Sequence, residues 1–205
     1  PTELQDMLDW AYRCPFSNEY MGETAENLAD DYQLTRDSMD AWGVMSQSRA
    51  IAAQKSGFLA KQIMPVEIRQ KTGVTVFDTD ECPRSDATAE KLARLRPSFR
   101  EGGRVTAGNA STVNDAAGFV LVGERPALEK AGAQPRARIV DWTVVGVPAR
   151  IMGHGPVPAI KALLDKTGLS LTDIDYFEIN EAFAAVNVHA ETQLGIPRDL
   201  HNAYG

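Results

Sequence analysis

Tyr176-Phe177-Glu178-Ile179-Asn180-Glu181-Ala182-Phe183-Ala184-Ala185 reads as a short strand that runs directly into a helix. Aromatic and β-branched residues at 176–179 favour extended backbone. The alanines that follow favour helix. Strand-to-helix turns are where α/β folds place polar groups beside a crevice, and Asn180 and Glu181 occupy this one. Asn180 orients a water or donates to a developing oxyanion; equally, it caps the helix, with Glu181 as an ordinary first-turn acid. The residues alone leave both readings open.

Around this turn, helices and strands alternate. A Val- and Ile-rich strand spans Ala137 to Val147, and a loop follows at Gly153-His154-Gly155-Pro156. A helix carries Ile160, Leu163 and Leu164 and ends near Gly168. After the strand at 176–179, the last helix ends near Gly195. This alternation predicts a layered α/β fold. The Pro/Gly/Ala-rich connection at 126–137 is the candidate domain boundary.

Upstream lies the densest run of small residues, Gly102-Gly103-Arg104-Val105-Thr106-Ala107-Gly108-Asn109-Ala110-Ser111. It leads into a predicted helix at 112–118 and a predicted buried strand, Phe119 to Val122. Small side chains at a helix start let a ligand approach backbone N–H groups. Ser111 adds a hydroxyl that bonds a ligand amide or simply caps the helix.

The first hundred residues are mainly helical in pattern. Thr2 is expected to cap a short helix with Leu4, Met7 and Leu8, and a second helix begins near Met21. Thr35 caps a long helix that carries Met39, Trp42, Met45, Ile51 and Ala52 and stops at Gly57. Short strands at 63–68 and 74–77 flank a turn at Gly73, and Thr88 caps a helix that ends before Pro97.

Composition narrows the function classes. With 43% apolar and 24% charged residues the chain is an ordinary globular one. The net charge of −7 disfavours nucleic-acid and anionic-membrane binding, and no apolar run is long enough for a membrane span. Against that charge, Arg84, Lys91, Arg94, Arg96, Arg100 and Arg104 form a locally basic stretch, which either attracts a small polyanion or is a solvated face. Cys14 and Cys82 make no disulfide framework and point to a reducing, cytoplasmic setting. No metal-ligand cluster is evident. The absence of an initiator Met and of an N-terminal signal, with an end at Ala203-Tyr204-Gly205, reads as an internal segment.

Five stretches then resemble one family. Met21-Gly22-Glu23-Thr24-Ala25-Glu26-Asn27-Leu28-Ala29 looks like the thiolase pattern M-G-x-T-A-E-N-[LV]-A. Leu95-Arg96-Pro97-Ser98-Phe99 resembles L-R-P-[AS]-F, and Val105 to Asp115 resembles V-T-A-G-N-[AS]-S-x-x-N-D. Ile151 to Ala159 resembles V-M-G-x-G-P-[IV]-P-A, and Asn180 to Ala184 matches N-E-A-F-A. The order and gaps are family-like across the whole chain.

The resemblance implies a thiolase-like layered αβαβα fold, here partial, with the inserted loop domain. Residues 1–113 would be loop domain, 114–135 the end of the N-terminal half, and 136–205 the start of the C-terminal half. It implies an acyl-CoA C-acyltransferase (acetyl-CoA acetyltransferase or 3-ketoacyl-CoA thiolase) using an acyl-cysteine, leaning toward the fatty-acid degrading, β-oxidation type. Coenzyme A is then substrate and product, with acyl-CoA as the partner molecule and no separate cofactor or metal. Homodimers or homotetramers are expected. By matching positions, Asn180 holds an oxyanion-hole water; Ser111 and Ala110 meet the pantetheine arm; Arg84 lies near the CoA nucleotide; Met21, Met152, Ala182 and Phe183 line the acyl or pantetheine pocket.

Departures accompany the match. The nucleophilic cysteine of N-x-x-C-x-S, the histidine of G-H-P and the cysteine of C-x-G-G-G have no counterparts here. Cys14 and Cys82 fit neither cysteine motif, and His154 and His189 are expected on a pocket wall or helix face. A non-catalytic CoA- or lipid-binding module, or one chain of a split thiolase, are the alternatives to an enzyme segment that is inactive alone.

Overall fold

The computed structural model describes residues 6–205. The expected Thr2 cap and Leu4 lie outside them. The first helix, α1 (Met7–Ala11), starts at Asp6, whose Oδ1 accepts the Leu8 N–H at 2.8 Å.

α2 (Met21–Asp31) and α3 (Arg36–Lys55) follow. Thr35 caps α3 as its sequence predicts, its Oγ1 accepting the Ser38 N–H at 3.1 Å, and the chain leaves the helix at Gly57 with φ +74°. β1 (Val66–Gln70) and β2 (Gly73–Phe77) form an antiparallel hairpin, with Val66 opposite Phe77 and Gln70 opposite Gly73. Both strands are solvent-exposed throughout. α4 (Ala89–Ala93) is capped by Thr88. α5 (Arg125–Lys130) forms inside the segment expected to be a plain connection, with Pro126 in its first turn. A 3₁₀ turn at Ala149–His154 precedes α6 (Pro156–Thr167), and α7 (Ala184–Leu194) closes at Gly195 in the left-handed region.

α7 is the centre of the molecule. Every residue from Ala184 to Ala190 is buried, the pattern of a core helix, with Asn187 and His189 buried among its apolar residues. One face, with Ala184, Ala185 and Val188, packs on Ala25, Leu28 and Ala29 of α2 and on Met39 and Trp42 of α3. The other, with Val186 and Ala190, packs on Val157 of α6, on Phe177 and Ile179, and on Ile196.

Close approach needs glycine at two places. A Cβ on Gly22 would sit 2.3 Å from the Phe99 ring, and one on Gly43 would sit 2.5 Å from the Gly108 carbonyl oxygen. These glycines seat the 95–99 segment on α2 and the 105–111 loop on α3. Two buried carboxylates anchor the same loop. Glu26 accepts the N–H groups of Arg104 (2.8 Å) and Val105 (2.7 Å). Asp40 accepts the Asn109 side-chain amide at 2.7 Å and pairs with Arg36 at 2.6 Å.

Several expectations are corrected. Residues 112–118 are not helical: the Asn114 amide bonds the Thr112 carbonyl and hydroxyl, a local alternative to helix. Phe119 to Val122 are exposed, at 91, 89, 79 and 67%, rather than a buried strand. Residues 137–147 make no ladder either, although exposure alternates from Asp141 to Val147 with the period of a strand. A strand needs a hydrogen-bonded neighbour, and among the described residues neither run has one. The segment at 176–179 makes a single parallel bridge, Phe177 to His201, instead of a full strand.

His189, expected on a helix face, is completely buried. Its Nε2 lies 2.7 Å from His154 Nδ1, and the Tyr32 ring covers both imidazoles. Burial, reinforced by the neighbouring His154, pushes the His189 pKa down to about 4. Burial lowers that of His201 as well.

Two outcomes follow from this packing. Glu26→Ala strands the buried Val105 N–H and the part-buried Arg104 N–H and is expected to cost about 3 kcal/mol in urea unfolding. Acid is expected to destabilise through His189: its folded pKa lies below its unfolded value, so the unfolded chain binds the extra proton. The stability is complete above about pH 6.5 and is lost as the pH falls toward 4, by about 3 kcal/mol. His189→Gln should make the fall in unfolding free energy across that window shallower, leaving the share of His201.

Candidate active site

The segment 177–184 is held on three sides. On one, the Phe177 N–H donates to the Leu200 carbonyl at 2.8 Å and the Asn202 N–H to the Phe177 carbonyl at 2.9 Å. The Asn202 side chain bonds both the N–H (2.9 Å) and the carbonyl (2.8 Å) of Ile179. On the second, the 105–111 loop pairs with the turn: Ser111 N–H to Ala182 carbonyl at 2.9 Å, and Ala184 N–H to Asn109 carbonyl at 2.8 Å. On the third, α3 presents Trp42 and Ser46, one helical turn apart on one face. The Trp42 Nε1–H donates to Glu181 Oε1 at 3.1 Å and the Ser46 hydroxyl to Oε2. Asn202 Nδ2 adds a third donor at 2.9 Å.

This arrangement settles the capping question. α7 begins only at Ala184, after Phe183, so neither Asn180 nor Glu181 belongs to its first turn. Ser111 likewise precedes no helix and is not a cap. The Asn180 side chain is exposed and makes no hydrogen bond among the described residues; its carbonyl accepts the Asn187 amide at 3.4 Å.

A cleft of about 570 Å³ opens beside the turn. Trp42, Gly43, Ser46 and Gln47 of α3 form one wall, Gly108 to Thr112 another, and Arg84 and Lys91 stand on its rim with Asp80 and Asp86. Gln47 Oε1 accepts the Arg84 N–H at 2.6 Å, which fixes the backbone there and leaves the guanidinium exposed. Arg84 has no ion pair among the described residues, whereas Lys91 is paired with Asp86 at 2.7 Å. The basic stretch therefore divides. Arg100 and Arg104 turn to Asp30 of α2, at 2.7 and 2.6 Å, and do not line the cleft.

Of the residues expected in the site, Ser111, Ala110 and Arg84 line this cleft, and Ala182 and Phe183 are paired to its wall through their backbones. The Phe183 ring packs against both cores and meets Phe99 edge-on. Met21 and Met152 do not reach the cleft; Met21 opens α2 and Met152 is exposed on the 3₁₀ turn that packs on it. Cys14 is buried away from the cleft, its thiol pKa lowered by the Ser17 side chain. Cys82 lines the cleft, but desolvation pushes its pKa up, which disfavours a thiolate.

Sequence reading missed the organising role of Glu181, Trp42, Ser46 and Asn202. Only the four-residue spacing of Trp42 and Ser46 was available as a signal. Among the described residues, no three His, Cys, Asp or Glu side chains converge to hold a metal, and no helix is long and apolar enough to cross a membrane.

Comparisons with known proteins cover almost the whole chain. Family models match twice: the thiolase N-terminal domain at residues 2–125 and the thiolase C-terminal domain at 133–205. An acetyl-CoA acetyltransferase of Syntrophomonas wolfei is 46% identical over 194 residues, covering 94% of this chain and 49% of that protein. The beta-ketothiolase BktB of Cupriavidus necator is 45% identical, with the same coverage. Among solved structures, Bacillus anthracis acetyl-CoA acetyltransferase superposes with a TM-score of 0.95 at 43% identity, over 100% of this chain and 52% of that one. Human mitochondrial 3-ketoacyl-CoA thiolase in complex with CoA gives 0.90 at 37% identity, over 100% and 52%. The chain thus spans about half the length of the curated relatives it matches. With both family models covering it almost end to end and a partial α/β thiolase fold in the structure, the chain belongs to the thiolase family.

Proposed function

We propose that the whole protein exchanges acyl groups between coenzyme A thioesters, cleaving 3-ketoacyl-CoA with CoA or condensing two acyl-CoA molecules. The observation that carries this reading is the pairing of the 180–184 turn with the 108–111 loop at the edge of a cleft. That pairing joins the turn that carries the exposed Asn180 to the small-residue wall of a cleft whose rim carries Arg84.

In this reading a cysteine thiolate attacks the 3-keto carbonyl. The carbon–carbon bond breaks, acetyl-CoA leaves as its enolate and takes a proton, and CoA thiolate then removes the acyl group from the cysteine. Residues matching the family's cysteines and G-H-P histidine are not in this sequence, so those steps belong to the remainder of the protein. The share of these 205 residues is binding and electrostatics. Ser111 and Ala110 receive the pantetheine arm, Arg84 the nucleotide phosphates, and Asn180 holds a water against a thioester oxygen as charge develops there. Ala182 and Phe183, whose backbones pair with the cleft wall, stand on the acyl side of the pocket. Residues 1–113 act as loop domain, 114–135 end the N-terminal half and 136–205 open the C-terminal half. A cytoplasmic homodimer or homotetramer working in β-oxidation completes the proposal; two unpaired cysteines suit a reducing compartment.

Steady-state thiolysis by the whole protein tests this. Asn180→Ala is expected to lower kcat about 100-fold with little change in KM, and unchanged turnover would remove Asn180 from the mechanism. Ser111→Ala is expected to raise KM for CoA by about 3- to 10-fold while kcat holds, the signature of a lost binding contact.

A further inference from the structure

Asn180 has no side-chain partner among the described residues, yet its task in the proposed reaction demands a fixed side chain. What fixes it must act through its neighbours. Ile179, before it, has both backbone groups bonded by the Asn202 side chain. Glu181, after it, has a carboxylate that accepts from Trp42 and Ser46 of α3 and from the same Asn202 amide. Asn202 adopts φ +47°, which aims its amide at both positions at once. Arg49 of α3 holds this backbone in turn, donating to the carbonyls of His201 (2.6 Å) and Arg198 (2.8 Å). His201 fills the remaining space, its ring on Trp42 and its Nε2 on Asn187 Oδ1 at 3.0 Å.

We propose that Glu181 is a positioning residue for Asn180: its carboxylate ties the turn to α3 and to Asn202, and so sets where the Asn180 amide points. The proposal rests on the oxyanion-hole reading of Asn180. Three donors converge on Glu181, Trp42 and Asn202 on one oxygen and Ser46 on the other, and a carboxylate accepts from all three at once. Glutamine in its place keeps the bonds from Trp42 and Asn202 only by turning its NH₂ to Ser46, whose hydroxyl must reverse from donor to acceptor, and it loses the charge that strengthens all three bonds. The turn then relaxes, and a displacement of about 1 Å at a catalytic group is enough to cost on the order of 100-fold.

The experiment is steady-state thiolysis by the whole protein for Glu181→Gln and Ser46→Ala, each made with Asn180 and with Asn180→Ala. Glu181→Gln is expected to lower kcat by about 10- to 100-fold with KM within about twofold. Ser46→Ala, which removes one donor and no charge, is expected to lower it about threefold. In the Asn180→Ala background neither change should lower turnover further, because the group being positioned is already gone. Should Glu181→Gln fail to fold, Ser46→Ala carries the same comparison. Equal losses in both backgrounds would overturn the proposal, since Glu181 would then act independently of Asn180. Unchanged kcat in Glu181→Gln, with Asn180→Ala impaired, would overturn positioning and leave the oxyanion reading standing. Unchanged turnover in Asn180→Ala itself would overturn both.

Discussion

The architecture around the cleft depends on backbone donors that face a buried carboxylate. The N–H groups of Arg104 and Val105 point into the protein and meet the carboxylate of Glu26, itself buried in α2. An unmet buried N–H is costly, and a buried carboxylate without donors is costlier still. Each satisfies the other, and the loop that begins at Arg104 has one place to start. From there Asn109 bonds Asp40, Ala184 bonds Asn109, and Ser111 bonds Ala182. Two carboxylates, Glu26 on α2 and Asp40 on α3, thereby fix the register in which the 105–111 loop meets the 180–184 turn.

Local signals were legible, and non-local ones were not. Thr35, Thr88, Gly168 and Gly195 mark helix ends because capping is a relation between residues two to four positions apart. The hairpin at 66–77 was readable for the same reason. Phe119 to Val122 and the Val- and Ile-rich run to Val147 have strand composition, but strand status is conferred by a neighbour, and composition does not name it. The reading of 112–118 as helix failed where β-branched Thr112 and Val113 and the side-chain bonds of Asn114 outweigh a weak helical pattern.

The candidate site divides along the same line. Its small residues and Asn180 were visible as a strand-to-helix turn and a glycine-containing loop. Glu181 looked like a first-turn acid because its partners stand 139, 135 and 21 positions away. The basic stretch was visible as charge, while its division was not. Arg100 and Arg104 are drawn to Asp30, which composition counts merely as one acid in an acidic chain.

That division bears on how an acidic protein attracts a polyanion. Lys91 is already paired with Asp86, and exposed pairs of this kind contribute little by themselves. Asp80 and Asp86 on the rim oppose a phosphate. Among the described residues Arg84 is the cation there left without a carboxylate partner, and Gln47 holds its backbone while the guanidinium stands exposed. A planar guanidinium with five donors binds phosphate oxygens in pairs, which a lysine cannot do. The positive charge left unpaired at this rim among the described residues therefore belongs to one arginine held from behind, and not to the summed charge of the stretch in which it lies.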